Sequence, residues 1–164
     1  MIYLISDTHF NHKNIIHYEN RPFESVEEMN RSLIKNWNKN ISNKDTVYHL
    51  GDFAFGNYDE IKVIIHQLNG YKILIKGNHD RSHSAAWWHN AGFNDVINGG
   101  VILDNFYMLS HEPMYMNKHM PYVNIHGHIH GNKMEGEQYY NVSVEHHDYQ
   151  PVAFDKIKEL YKDE

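Results

Sequence analysis

Nine side chains in this sequence can do metal chemistry: Asp7, His9, Asp52, Asn78, His79, Asp80, His111, His128 and His130. They offer oxygen and imidazole nitrogen, and no sulfur. Such a set suits Mn, Fe, Zn or Ni better than Ca or copper(I). Seven ligands drawn from it are too many for one tetrahedral site but enough for two ions that share a bridging carboxylate. Two-metal centres hold their ions about 3.5–4 Å apart and stabilise both the attacking and the leaving oxygen of an in-line displacement at phosphorus. Phosphoesters are anionic and resist hydroxide, so two cations that neutralise charge and acidify bound water answer the chemical problem.

The residues span positions 7 to 130, so the fold must gather them. Each follows a short apolar run that reads as a strand. Ile2–Ser6 leads to Asp7 and His9, and Thr46–Leu50 to Asp52. Lys72–Lys76 leads to Asn78, His79 and Asp80, Phe106–Ser110 to His111, and Tyr122–Ile125 to His128 and His130. In α/β sheets, loops at the carboxyl ends of strands converge on one crevice, so these strand ends predict one cluster. Gly51, Gly77 and Gly127 stand where the chain must turn beside it, which favours a residue tolerant of positive φ.

Between the strands the period changes to that of helices. Val26, Met29, Leu33, Trp37 and Ile41 predict a helix over 26–41, opened by Ser25-Val26-Glu27-Glu28, which has the form of a capping box. Asp59–Leu68 is a second helix stopped by Gly70, residues 83–91 a third, and Phe154–Tyr161 a fourth. Asp7–Asn14 reads as a loop. Asp95–Leu103 reads as a strand that turns at Asp104-Asn105 into Phe106–Ser110 as a hairpin, and Tyr139–Val144 as a further strand. The first half predicts parallel β/α units and the second antiparallel strands: a mixed α/β domain over residues 1–164 with two sheets, or one bent sheet, and helices outside.

Composition excludes several other classes. With no cysteine there is no disulfide, thiolate metal site or cysteine nucleophile. The net charge of −6 and the lack of a basic run speak against a long nucleic acid as substrate. No apolar stretch approaches the roughly 20 residues of a membrane span, and the acid at position 7 interrupts any signal peptide. A cytoplasmic protein, monomer or homodimer, acting on a small phosphorylated substrate is the expectation.

Asp7-Thr8-His9, Gly51-Asp52, Gly77-Asn78-His79-Asp80, His111 and Gly127-His128-Ile129-His130 resemble, in order and in spacing, the motif series of the calcineurin-like metallophosphoesterases. The resemblance spans most of the chain and implies a two-sheet α/β/β/α sandwich. It further implies that Asp7, His9 and His130 hold one metal, that Asn78, His111 and His128 hold a second, and that Asp52 bridges them. A bridging hydroxide would be the nucleophile. His79 would act at the leaving oxygen as general acid or stabiliser, oriented by Asp80. The resemblance leaves the ions as two divalent or trivalent metals, with Mn expected first and Fe, Zn or Ni as alternatives.

Other residues keep two readings. His12 can meet substrate phosphate or be an exposed loop residue. Arg81 can bind phosphate or form a salt bridge beside the site. Phe53 and Phe55 stand where many family members carry an acid and an arginine, which argues against a Ser/Thr protein phosphatase. They can form an apolar wall or pack in the core. His49 and His126 read as buried, hydrogen-bonded histidines. The expected reaction is hydrolysis of a phosphodiester or small phosphomonoester. The rivals are a short-oligonucleotide nuclease, a cyclic-nucleotide phosphodiesterase and, from another class, a metal-bound scaffold without catalysis.

Overall fold

The structure, a computed structural model, describes residues 1–117 and 119–162. In chain order the elements are β1 (Ile2–Ile5), α1 (Ile15–Tyr18), α2 (Val26–Asn40), β2 (Thr46–His49), α3 (Tyr58–Gln67), β3 (Tyr71–Ile75), α4 (Ala85–Ala91), β4 (Asp95–Ile97), β5 (Val101–Leu103), β6 (Tyr107–Leu109), β7 (Val123–His126), β8 (Tyr139–Asn141), β9 (Val152–Ala153) and α5 (Phe154–Leu160). They make two sheets, β4-β3-β2-β1-β9 and β5-β6-β7-β8, flanked by helices.

Alternation along the strands divides the core. Tyr3 and Ile5 of β1, with Val47 and Leu74, face Met29, Leu33 and Trp37 of α2, Ile61 and Ile65 of α3, and Trp88 and Ala91 of α4. Leu4 points the other way, into a core with Leu50, Ile75, Leu109, Val123 and Ile125 that α5 closes with Phe154 and Ile157. A first sheet buried on both faces explains why its strands read as continuous apolar runs.

Helix α2 begins where its cap predicts. Ser25 accepts from the Glu28 N–H at 3.1 Å, but the Glu28 carboxylate reaches back to the Glu24 N–H at 2.7 Å, so the expected box is only half made. A complete capping box stands instead at α3, between Asn57 and Glu60. The expected loop over 7–14 holds, and a single helical turn, α1, follows it.

Two expectations for the second half need correction. The run 95–103 is two strands in different sheets: β4 pairs with β3, and β5 with β6. The break falls at Asn98-Gly99-Gly100, where a side chain on Gly100 would come within 2.8 Å of the Leu109 carbonyl oxygen. The second sheet is also mainly parallel. Only the β5–β6 hairpin is antiparallel; three residues separate paired Leu103 and Tyr107, with Asp104 and Asn105 at φ 52° and 55° and the Phe106 N–H donating to the Leu103 carbonyl at 3.1 Å, the positive φ values that a turn of the primed type requires. β6, β7 and β8 run parallel because the segments joining them are long enough to carry the chain back to its starting edge.

Candidate metal centre

The carboxyl ends of β1, β2 and β3, neighbours in one sheet, meet those of β6 and β7, neighbours in the other. Bonds between the sheets fix the junction. The Ser6 N–H donates to the Val142 carbonyl at 3.1 Å and the Val144 N–H to the Ser6 carbonyl at 3.2 Å. The His128 N–H and the Ser143 hydroxyl both donate to Asp7 Oδ2, at 2.9 and 2.8 Å. His111 Nδ1 lies 2.7 Å from the Leu50 carbonyl, so the ring leans from one sheet onto the other.

The ligand atoms form two groups. Asp7, His9 and His130 make one, and Asp52, His111 and His128 the other, each within 4.8 Å. His9 Nε2 and His130 Nε2 each stand 4.0 Å from Asp7 Oδ1. His111 Nε2 stands 3.1 Å from His128 Nδ1 and 3.0 Å from Asn78 Oδ1, which also lies 3.0 Å from His128 Nδ1. Asp52 Oδ2 lies between the groups, 3.6 Å from His9 Nε2 and 3.5 Å from His111 Nε2. Atoms bound to one ion at about 2.1 Å sit about 3–4 Å from one another, which matches these separations.

The chemistry of the donors fits metal ions. Asp7 Oδ1 and His9 Nε2 are buried and have no hydrogen-bond partner among the described residues. The Leu50 carbonyl can only accept, so His111 carries its proton on Nδ1 and turns a bare Nε2 toward the Asp52 carboxylate. Two acceptors facing each other in a buried site call for a cation between them. The metal-free protein answers with a proton. Burial opposes charge on His111, but Asp52 and Asp7 outweigh it and push its pKa up to about 9. Burial likewise works against the Asp52 carboxylate, yet His111 and His9 hold it below the usual carboxylate range. His9 is driven the other way, well below the ordinary histidine value, because burial dominates.

The backbone here is strained. Asp7, His9, Asp52, His128 and His130 all have positive φ, between 48° and 71°. Outside glycine that region is uncommon and clusters at functional sites, with Asp, Asn and His the residues that tolerate it best. Positive φ therefore falls on the ligands themselves. Of the three glycines expected to supply it, only Gly51 does, at 92°. Gly77 and Gly127 are needed for space instead: a Cβ would collide with Asp52 Oδ1 at the first, and with Ser6 Oγ and Asp7 Oδ2 at the second.

The expected role of Asp80 is corrected. Its carboxylate does not hold the His79 ring but accepts three backbone N–H groups, from Asp52 at 2.7 Å, Gly77 at 2.8 Å and Phe53 at 3.1 Å. It ties the turn after β2 to the turn after β3. Burial outweighs these bonds and raises its pKa to about 6. His79 is positioned by its own N–H, which donates to Asp52 Oδ1 at 3.0 Å. Its ring, 45% exposed, brings Nε2 to 3.9 Å from Asp52 Oδ2.

His12 stands beside the first group, Nδ1 to Nδ1 of His9 at 3.1 Å, with its ring stacked on Phe55 at 4.1 Å. Phe55 also approaches His79, at 5.1 Å, and so lines the site, whereas Phe53 is wholly buried among Phe10, His49 and Phe93. Arg81 makes the salt bridge, 2.8 Å from Glu112. His49 is the expected core histidine, 2.9 Å from the Thr8 hydroxyl and kept neutral by burial. His126 is fully buried too, its Nδ1 on the Gly127 carbonyl at 2.9 Å. Two contributors were not legible in the sequence. Glu145 Oε1 meets His130 Nδ1 at 3.1 Å, and Arg21 bonds Glu145 and the carbonyls of Asp7 and Thr8. No local pattern marks either, since a buried arginine is recognisable only once its distant partner is known.

Comparison with known proteins agrees with this geometry. An uncharacterized protein of Methanocaldococcus jannaschii (MJ1445) is 42% identical over 172 aligned positions, covering 97% of this chain and 90% of that protein. The Gene 66 protein of Mycobacterium phage L5 is 38% identical over 84 residues, 48% of this chain and 39% of its own length. The crystal structure of AQ665 from Aquifex aeolicus, a protein of unknown function, superposes with a TM-score of 0.78 at 29% identity, covering 98% of both chains. The calcineurin-like phosphoesterase family matches residues 1–163, from before the first ligand to beyond the last helix. A match of that extent, over a chain whose five strand ends converge on paired metal-ligand groups, makes this protein a member of the calcineurin-like phosphoesterase family.

Proposed function

We propose that this chain hydrolyses small phosphodiesters with two divalent metal ions, Mn²⁺ first among them. The observation that carries the reading is the position of Asp52 Oδ2, 3.6 Å from His9 Nε2 in one ligand group and 3.5 Å from His111 Nε2 in the other. Asp7, His9 and His130 would hold one ion, Asn78, His111 and His128 the other, and Asp52 both. When bound, such ions neutralise phosphoryl charge and acidify water at the site.

The chain's own residues supply the rest. His79 offers an exposed imidazole beside the bridging carboxylate and gives a proton or hydrogen bond to the leaving oxygen. With His9 Nε2 reserved for a metal, its Nδ1–H donates to His12 Nδ1, which leaves the His12 Nε2–H free for a phosphoryl oxygen. Arg81 would exchange Glu112 for the substrate's anionic oxygen. Asn78 and His79 are exposed, so the site is shallow enough for both arms of a diester.

The test is hydrolysis of bis(p-nitrophenyl) phosphate and p-nitrophenyl phosphate after chelation and return of Mn²⁺. A higher kcat/KM on the diester is expected. A preference for the monoester would make the protein a phosphatase, and Mn²⁺ binding without turnover on either ester would favour the scaffold.

A further inference from the structure

Glu19, His130 and Glu145 also bring ligand atoms within 4.8 Å of one another, next to the first metal group. Arg21 already supplies a positive charge to that cluster, and Glu145 Oε2 is left buried without a hydrogen-bond partner among the described residues. Arg21 Nη2 and Nε lie 2.6 and 3.0 Å from Glu145 Oε1, the oxygen that His130 Nδ1 faces at 3.1 Å. That oxygen is already taken by a fixed cation. A His130 that donates from Nδ1 keeps its lone pair on Nε2, which points at Asp7.

The same guanidinium reaches the other two ligands of that group through the backbone. Nη2 donates to the Asp7 carbonyl at 2.7 Å and Nη1 to the Thr8 carbonyl at 2.9 Å. These carbonyls lie in the turn that places Asp7 and His9 at φ 58° and 49°. The Arg21 side chain is fully buried and that of Glu145 is 7% exposed, so neither is a mobile surface group. One ion pair thus fixes the loop after β1 and the tautomer of a ligand from the loop after β7. Among the described residues the second group has no buried ion pair of this kind: the Leu50 carbonyl holds His111 and Asp80 ties the turns of Asp52 and Asn78, but Asn78 is exposed and the contacts of His128 Nδ1 are to Asn78 and His111, themselves in that group.

We propose that the buried Arg21–Glu145 pair is the positioning element of the Asp7–His9–His130 site and makes it the tighter of the two metal sites. The proposal rests on the two-metal reading above. Removing a carboxylate that orients a metal-bound histidine lowers metal affinity about 10–100-fold.

The experiment is calorimetric titration of the chelated protein with Mn²⁺, with thermal melting of each metal-free variant. His9→Ala and His128→Ala identify the phases, and the tight phase should vanish in the first. Glu145→Gln should weaken the tight phase about 10–100-fold and leave the weak phase unchanged. Arg21→Met/Glu145→Leu replaces the pair with apolar groups, an exchange that buried ion pairs often tolerate, and should do the same in a folded protein. Glu145→Asp should recover part of the affinity. An unchanged tight phase in both variants overturns the proposal. So does equal weakening of both phases in step with a lowered Tm, which is the result of a purely structural role. A wild-type protein that binds fewer than two ions would instead sink the two-metal reading itself.

Discussion

His79 and Asp80 are adjacent in the chain and do different work. His79 presents its ring beside Asp52 but lies outside both ligand groups. His79→Ala should therefore lower kcat about 10²–10⁴-fold, the usual range for a general acid, with Mn²⁺ content unchanged by elemental analysis. Asp80 holds three buried N–H groups, and an orphaned buried donor costs about 1–3 kcal/mol. Asp80→Ala should cost the metal-free protein roughly 3 kcal/mol or more in urea unfolding, and Asp80→Asn less, because its carbonyl still accepts. If Asp80 acted only by orienting His79, activity would fall with stability intact. The candidate ligands were legible in the sequence because residue types and strand-end placement mark them, and the structure gathers them into two groups. The Asp80 contacts were not, since a carboxylate bonded to backbone leaves no trace in side-chain patterns. Arg21 and Glu145, 124 residues apart, were equally hidden.

Among the elements, the longer strands and helices followed from period and caps, with ends shifted by up to three residues, whereas the short α1 and β9 were not foreseen. What the sequence hid was pairing. Nothing in the run 95–103 shows that its halves belong to different sheets, because that choice is made by β3 and β6, not by the run itself. The loops between elements carry the strain, and they need room as well as special φ. Gly127 follows β7, where a side chain would strike Ser6 Oγ and Asp7 Oδ2. Gly127→Ala should therefore displace Asp7 and strip the first metal site, read as a drop in bound Mn²⁺ per chain while the far-UV circular dichroism stays that of the wild type.

At the scale of the molecule, two cores share one sheet, and the site lies where that sheet meets the second. Metal charge and fold stability are therefore coupled. In the metal-free protein His111 has a pKa of about 9, above the usual 6.5, so the protonated ring stabilises the fold fully below pH 6.5. That contribution is lost as pH rises through about 9. His130 is raised too, because Glu145 outweighs its burial, and acts in the same direction. His49 and His9 are lowered, so they cost stability only as pH falls below 6.5. Denaturation midpoints of the metal-free protein should fall between pH 6.5 and 9, and saturating Mn²⁺ should remove the slope, since the metal takes the place of the proton.

The most direct test of a two-metal centre is diester turnover as Mn²⁺ is returned to the chelated protein in measured equivalents. Turnover should rise until two ions are bound per chain and then level off. Full turnover at one ion per chain, or none with two bound, would contradict it.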